Sequence, residues 1–193
     1  MLWSFNGTTW SANGTPPSCV EPIVFRTHVD LELVTSALWP GRQRGAYVSH
    51  GGFRFDGPGP DDVTVRAPIG SHLVQVGRYL EGVDEQFLLM FSVPCGVFYR
   101  FDHVRTVPAK LAEVFEDILP PISTDSRTYY LNPPLWIEQD EVVGTSVGIA
   151  HSNIFVDFGL YDVRTPNNVA SNPAWADLYP SIVCLFRYHL GVR

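Results

Sequence analysis

The chain has 193 residues, which suits one domain, and its 45% hydrophobic and 17% charged residues exclude a disordered protein. Its net charge is −7 and Lys110 is its only lysine, so the basic surface that nucleic acids or anionic membranes require is lacking. No stretch reaches the roughly 18 apolar residues of a membrane-spanning helix.

The first 20 residues are rich in Ser, Thr, Asn, Gly and Pro, a composition typical of irregular chain. They carry neither a basic start nor a long apolar run, so we expect no signal peptide. We therefore predict a loose lead-in at residues 1–20 and a single β-rich domain at residues 21–193.

Strand signals follow closely upon one another from residue 63 onwards. The predicted strands lie at residues 63–65, 73–80, 87–93 and 97–104. Residues 87–93 are almost continuously apolar, which favours a strand buried on both faces. Residues 97–104 alternate, and a regular strand would place His103 on one face with Val97, Tyr99 and Phe101. The Pro-Cys-Gly step between the last two strands predicts a hairpin.

One amphipathic helix is predicted after the strands, because four apolar residues recur at helical spacing. They are Leu111, Val114, Phe115 and Ile118. Thr106 is a candidate N-cap, and Pro120 with Pro121 would stop the helix.

The remaining elements are less regular. Residues 120–140 predict a long loop punctuated by prolines, or a loop with a short hairpin at residues 128–131. Residues 141–149 predict a short strand or hairpin, residues 153–163 a strand, and residues 182–190 a strand or short helix. Strands do not alternate with helices, so the chain is predicted to be mostly β, not a parallel α/β protein.

The cysteines and one isolated histidine have structural interpretations. Cys19, Cys95 and Cys184 lack the spacing of a metal site, and three cysteines allow at most one disulfide. We interpret Cys95 and Cys184 as small buried apolar residues. His28 precedes a polar stretch and is predicted to be exposed.

Five short segments occur in an order that resembles one family of peptidases. They are HGGFRFD at residues 50–56, VRAPIGSHLV at 65–74, FDHV at 101–104, GTSVG at 144–148 and FVDF at 155–158. In these the chain resembles the lysostaphin-type (LytM-like) zinc metallopeptidases, whose segments read H-x-x-x-D, V-x-A-P-x-x-G-x-V, Y-x-H-L, G-x-x-I-G and H-x-H-F. The resemblance covers about residues 45–163. It implies a duplicated hybrid motif, a barrel-sandwich-like antiparallel β fold with one short helix and extra N- and C-terminal segments.

The resemblance also implies where a metal would lie. The family holds zinc with the His and Asp of H-x-x-x-D and the second His of H-x-H, and these positions are His50, Arg54 and Asp157 here. His103 matches the family's histidine near the scissile bond, so it is the candidate catalytic residue. Arginine stays protonated and cannot ligate a metal, which argues against zinc at these positions.

Three interpretations of this region remain open. In the first, Arg54 and Asp157 form an ion pair in place of the metal, with His50 and His103 beside them, and the four residues form a metal-free ligand site. In the second, zinc is bound by His50, Asp56 and Asp157. In the third, these are unrelated surface residues.

The first interpretation predicts a protein without peptidase activity that keeps a groove for a peptide or glycan. Four aromatic residues are candidates for a stacking surface, although most are expected in the core: Phe53, Phe55, Tyr99 and Phe155. The alternatives are an active zinc peptidase acting on cell-wall (peptidoglycan) peptides, and a structural or interaction module without a pocket. No cofactor is favoured, with zinc as the alternative, and the resemblance implies an extracytoplasmic location.

Overall fold

A computed structural model of the chain describes residues 3–5, 10–41, 43–44, 46–122, 127–165, 167 and 183. They form fourteen strands, two short 3-10 turns at Leu31–Leu33 and Pro60–Asp62, and one α-helix, α1, at Ala109–Glu116. The strands are β1 Trp3–Phe5, β2 Trp10–Ala12, β3 Ser36–Leu38, β4 Gln43–Arg44, β5 Ala46–Tyr47, β6 Gly51–Arg54, β7 Val65–Arg66, β8 Ser71–Glu81, β9 Asp84–Val93, β10 Val97–Thr106, β11 Arg127–Ile137, β12 Val142–Gly144, β13 Ser146–Val147 and β14 Phe155–Asp162.

The predicted mostly β class with one short helix is confirmed. Seven strands form one antiparallel sheet in the order β11-β8-β9-β10-β14-β6-β3, and β13 pairs with the end of β10. Three two-stranded sheets, β1-β2, β4-β5 and β7-β12, complete the described part of the chain. The duplicated hybrid motif stays a prediction.

One face of the large sheet carries the main core. Its fully buried side chains include Leu89, Phe91, Tyr99, Phe101 and Phe158. These residues alternate along β9, β10 and β14 with residues that point the other way, because successive side chains of a strand lie on opposite faces. We call this side the core face and the other side the second face.

The second face is covered at one end by the antiparallel pair β1-β2. Trp3 and Trp10 pack against Phe98, and Trp3 donates a hydrogen bond from Nε1 to the Pro94 carbonyl at 2.8 Å. The segment predicted as a loose lead-in thus contains a hairpin that buries two tryptophans. The residues around the two tryptophans are mostly polar, so the sequence contains no apolar pattern from which their burial could be predicted.

Helix α1 lies where the spacing of the apolar residues predicted a helix. Leu111 and Phe115 are buried, and the Phe115 ring lies 4.4 Å from that of Phe87. The N-cap is Pro108 with no side-chain cap, and Thr106 is the last residue of β10, so the predicted cap is wrong. The helix ends at Glu116, before the two prolines.

The segment predicted as a proline-rich loop forms the long edge strand β11 instead. It pairs with β8 on both sides of a register shift between Tyr130 and Leu135. Pro133 and Pro134 lie inside that shift. An edge strand tolerates prolines there because its outer side needs no hydrogen-bonded neighbour.

Two further predictions are corrected by the packing. Cys95 is buried but forms a disulfide with Cys19, with a Cα–Cα distance of 5.1 Å, so it does not act as a free apolar thiol. His28 is only 1% exposed, because its ring stacks on Phe158 at 4.1 Å in the core face.

The element predicted at residues 182–190 and the environment of Cys184 lie outside the described residues. Among the residues that are described, no helix has the length and apolar character needed to cross a membrane.

Candidate functional site

A connected group of polar side chains occupies the second face beyond the β1-β2 hairpin. We call it the polar cluster; its members are His50, Tyr79, Gln86, Arg100, Asp102, His103 and Asp157. Register explains the grouping, since Asp102 pairs with Asp157 and Tyr79 pairs with Gln86. Directly paired residues of antiparallel strands present their side chains on the same face.

The HGG step places a histidine beside a carboxylate. Gly52 lies opposite Asp157, and a Cβ at Gly52 would meet the Val156 carbonyl at 2.5 Å and Asp157 Oδ1 at 2.7 Å. Only glycine leaves room for the Asp157 side chain to turn over β6. His50, just before the strand, then donates from Nε2 to Asp157 Oδ2 at 2.7 Å.

His103 joins the cluster because β10 is irregular at this point. The register between β9 and β10 shifts between Phe101 and Val104, and His103 has a φ of +63°. Such a bulge adds one residue and re-aims a side chain. His103 therefore lies on the second face with Asp102, not on the core face with Phe101, and the predicted alternation is wrong at this residue.

The hydrogen bonds around His103 determine where its proton lies. Gln86 donates from Nε2 to the Gly148 carbonyl at 2.7 Å, so its Oε1 faces His103 Nδ1 at 2.6 Å. An amide oxygen only accepts, so Nδ1 carries the proton. In the neutral ring Nε2 is therefore an acceptor, and it lies 3.7 Å from Asp157 Oδ2.

A buried ion pair lies beneath these groups. Arg100 donates to Asp102 Oδ2 at 2.5 Å, and Tyr79 donates to Asp102 Oδ1 at 2.6 Å. Gly159, which pairs with Arg100, leaves space for the guanidinium stem. The pair satisfies both charges, as a buried charge requires.

Burial and charge determine the protonation of the cluster. Burial lowers the pKa of His50 below its ordinary value of 6.5, and the Arg100 charge acts in the same direction, against the hydrogen bond with Asp157. Burial and the Asp102 charge raise the pKa of Tyr79, so its hydroxyl keeps the proton that it donates. At neutral pH the site holds a neutral His50 and a Tyr79 donor.

The predicted ion pair between Arg54 and Asp157 does not form. Arg54 is about half exposed and bonds Asp56 at 2.6 Å, and Asp56 also accepts from Thr35 at 2.8 Å. Asp157 instead bonds His50. The structure brings His50, His103 and Asp157 together and leaves Arg54 and Asp56 in a separate surface pair.

The alternative zinc set of His50, Asp56 and Asp157 is not arranged around one point in the described part of the chain. Asp56 is held by Arg54 and Thr35, and the Nε2 atom with which His50 would ligate donates its proton to Asp157. Among the described residues no group of three or more His, Cys, Asp or Glu side chains is arranged to hold a metal ion.

The four candidate stacking aromatics separate as expected. Phe53, Phe55 and Tyr99 are buried in the core. Phe155 is partly exposed, and its ring lies 4.1 Å from that of His103. One aromatic wall therefore borders the cluster.

Sequence reasoning missed four members of the cluster: Tyr79, Gln86, Arg100 and Asp102. A signal for two of them was present, because Arg100 and Asp102 alternate with Tyr99 and Phe101 in one strand. Two opposite charges on the same side of a buried strand predict a paired, partly buried site.

No known protein family, no curated protein and no solved structure matches this chain.

Proposed function

We propose that this protein is a metal-free, non-catalytic relative of the zinc endopeptidases, and that it binds a peptide or glycan at His50, His103 and Asp157. The hydrogen bond from His50 Nε2 to Asp157 Oδ2 carries the proposal, because it occupies the two atoms that would otherwise ligate a metal. Arg54 and Asp56, the other residues at ligand positions, neutralise each other at the surface.

The cluster has properties of a binding site. His50 and His103 keep 13% and 16% of their side chains exposed, whereas Asp157 keeps 4%. Polar atoms are held in fixed positions on the second face, and Phe155 supplies an apolar wall. A few placed polar groups beside an aromatic surface are typical of ligand sites.

Elemental analysis after zinc addition and exhaustive dialysis tests the metal-free character. We expect no retained zinc in the wild-type protein, with His50→Ala as the matched control. About one equivalent of zinc that disappears in His50→Ala would overturn the proposal and make cleavage of cell-wall peptides the next assay.

Co-sedimentation with insoluble peptidoglycan, followed by titration with soluble cell-wall peptides and glycan fragments, tests the binding role. We expect binding that decreases in His103→Asn and is kept in His151→Asn. Asparagine suits both positions, since His103 and His151 have φ values of +63° and +61° and asparagine tolerates this conformation. Absence of binding to every probe would favour a purely structural module.

A further inference from the structure

We infer that an apolar cavity beside the β9-β10 turn binds an aliphatic carboxylate, with the carboxylate group at Arg26 and the carbon chain against apolar side chains. This site goes beyond the proposed function, because it is separate from the polar cluster. Val93 lines the cavity, whereas Gln86 of the cluster lies near the other end of β9. The two residues are seven positions apart, which in an extended strand spans about 23 Å.

The size and lining of the cavity suit a small apolar molecule. Its volume is about 570 Å³, within the range of ligand pockets in proteins. The segment at residues 17–24 supplies one wall, and Ile69 and Val93 belong to the other. None of the described lining residues is aromatic, so the walls offer aliphatic contacts and no stacking surface. An aliphatic chain therefore matches the lining better than a flat ring does.

Two covalent features hold the walls in place without a ligand. The disulfide between Cys19 and Cys95 joins the two walls, and both cysteines line the cavity. Pro17, Pro22 and Pro94 also belong to the lining, and the ring of each proline fixes the backbone φ angle. A cavity with fixed walls loses little conformational entropy when a ligand enters, which favours binding.

The polar residues of the lining indicate which head group fits. Among the described lining residues Arg26 alone is charged, and the other polar side chains are Ser18 and Gln139. Arg26 Nη1 donates to Asp140 Oδ2 at 2.6 Å, which engages one of the five N–H donors of a guanidinium. Asp140 does not line the cavity.

The pairing of Arg26 with Asp140 leaves the guanidinium able to receive a second carboxylate. Their side chains are 61% and 43% exposed, and an ion pair of this kind contributes little free energy. A ligand carboxylate can bond the remaining donors, as charge-assisted bonds to a guanidinium are strong. The charge that faces the cavity is therefore positive, and a carboxylate complements it.

Nuclear magnetic resonance titration at about pH 7, where an aliphatic carboxylate is ionised, tests the inference. Octanoate, hexanoate and butyrate vary the chain, whereas octanol and octylammonium vary the head group. We expect saturable shifts of the Val20, Val24 and Val93 amides with octanoate, and an unchanged His103 amide. Affinity should fall about fourfold for each methylene removed. Octanol should bind about tenfold more weakly than octanoate, and octylammonium more weakly still.

Matched variants attribute the binding to the cavity. Arg26→Gln should weaken octanoate about tenfold, to the level of octanol, whereas Arg54→Gln should leave it unchanged. Arg54 is a suitable control, because it is also an exposed arginine paired with an aspartate at 2.6 Å. Val20→Asp adds a negative charge at the cavity and should weaken octanoate about threefold. Val83→Asp is its control, because both valines are exposed, at 85% and 96%, and Val83 does not line the cavity.

Four results would overturn the inference. They are no saturable shift with octanoate, octylammonium binding as tightly as octanoate, full octanoate affinity in Arg26→Gln, and octanoate shifts centred on His103. The last would move the carboxylate to the polar cluster. The other three would leave the proposed function of the cluster untouched, because its residues take no part in the cavity.

Discussion

The two faces of the large sheet are built from the same strands for different purposes. On the core face Phe101 and Phe158 are buried among other apolar rings. On the second face Arg100, Asp102 and Asp157 form charged and hydrogen-bonded contacts. Neighbouring residues of one strand thus serve packing and polar chemistry in turn, because side chains alternate.

The difference shows that an apolar core can fix the positions of polar groups that lie on the opposite face of the sheet. The core face fixes the register of β9, β10 and β14, and that register brings Asp102 opposite Asp157. Shifting a strand by one residue would exchange its two faces, so the apolar face strongly specifies the polar arrangement.

The largest expected effect is the removal of a core-face ring. Phe101→Ala should lower the free energy of unfolding by about 4 kcal/mol, since Phe101 is fully buried. Phe98→Ala, equally buried on the second face, should lower it less, because the β1-β2 hairpin above it can move into the cavity. Urea unfolding measures both. Equal losses would contradict the distinction between the faces.

Separating the buried ion pair should have the next largest effect. Asp102→Asn and Arg100→Met should each lower the free energy of unfolding by about 3 kcal/mol, and a double-mutant cycle should give a coupling of about 1–2 kcal/mol. Arg26 and Asp140 form a matched control pair at 2.6 Å with side chains 61% and 43% exposed. Their coupling should be below about 0.5 kcal/mol. A coupling in the buried pair no greater than in the exposed pair would contradict its role.

Gly52→Ala tests whether the space beside Gly52 positions the Asp157 carboxylate. The added Cβ would press on the Val156 carbonyl and Asp157, so we expect a loss of about 1–3 kcal/mol and altered signals from the His50 ring. Gly57→Ala is the control, because a Cβ at Gly57 meets nothing within 4 Å. An unchanged His50 environment in Gly52→Ala would show that the glycine does not position the carboxylate.

Sequence patterns predicted the parts of the fold that depend on local alternation. Strands β8, β9 and β10 and helix α1 follow from apolar spacing. Strand β11 was missed because its prolines predicted a loop. They lie at a register shift in a strand at the edge of the sheet, where prolines do not prevent pairing. Trp3 and Trp10 were missed because a short polar segment gives no periodic signal.

Three members of the polar cluster could be predicted from the sequence, but their contacts could not. His50, His103 and Asp157 do meet, yet Arg54 bonds Asp56 two residues away. A partner two residues along the chain competes well with a distant one, and no sequence pattern predicts which of the two forms the ion pair. The bulge at His103 was likewise unpredictable, because it depends on how β10 pairs with β9.

The smallest expected effect is the contribution of His50 to the pH dependence of the unfolding free energy. Burial lowers the pKa of His50 from 6.5 in the folded protein, so below about pH 6.5 the unfolded chain takes up the proton first. This contribution to stability is therefore full above pH 6.5 and is lost as the pH falls through the folded pKa. His50→Asn removes it, and we expect unfolding free energies between about pH 7.5 and pH 5.5 to change less steeply than in the wild type, by at most about 1.4 kcal/mol per pH unit. Parallel slopes in the two proteins would mean that His50 takes up its proton alike in the folded and unfolded states, and a neutral His50 in the polar cluster would have to be abandoned.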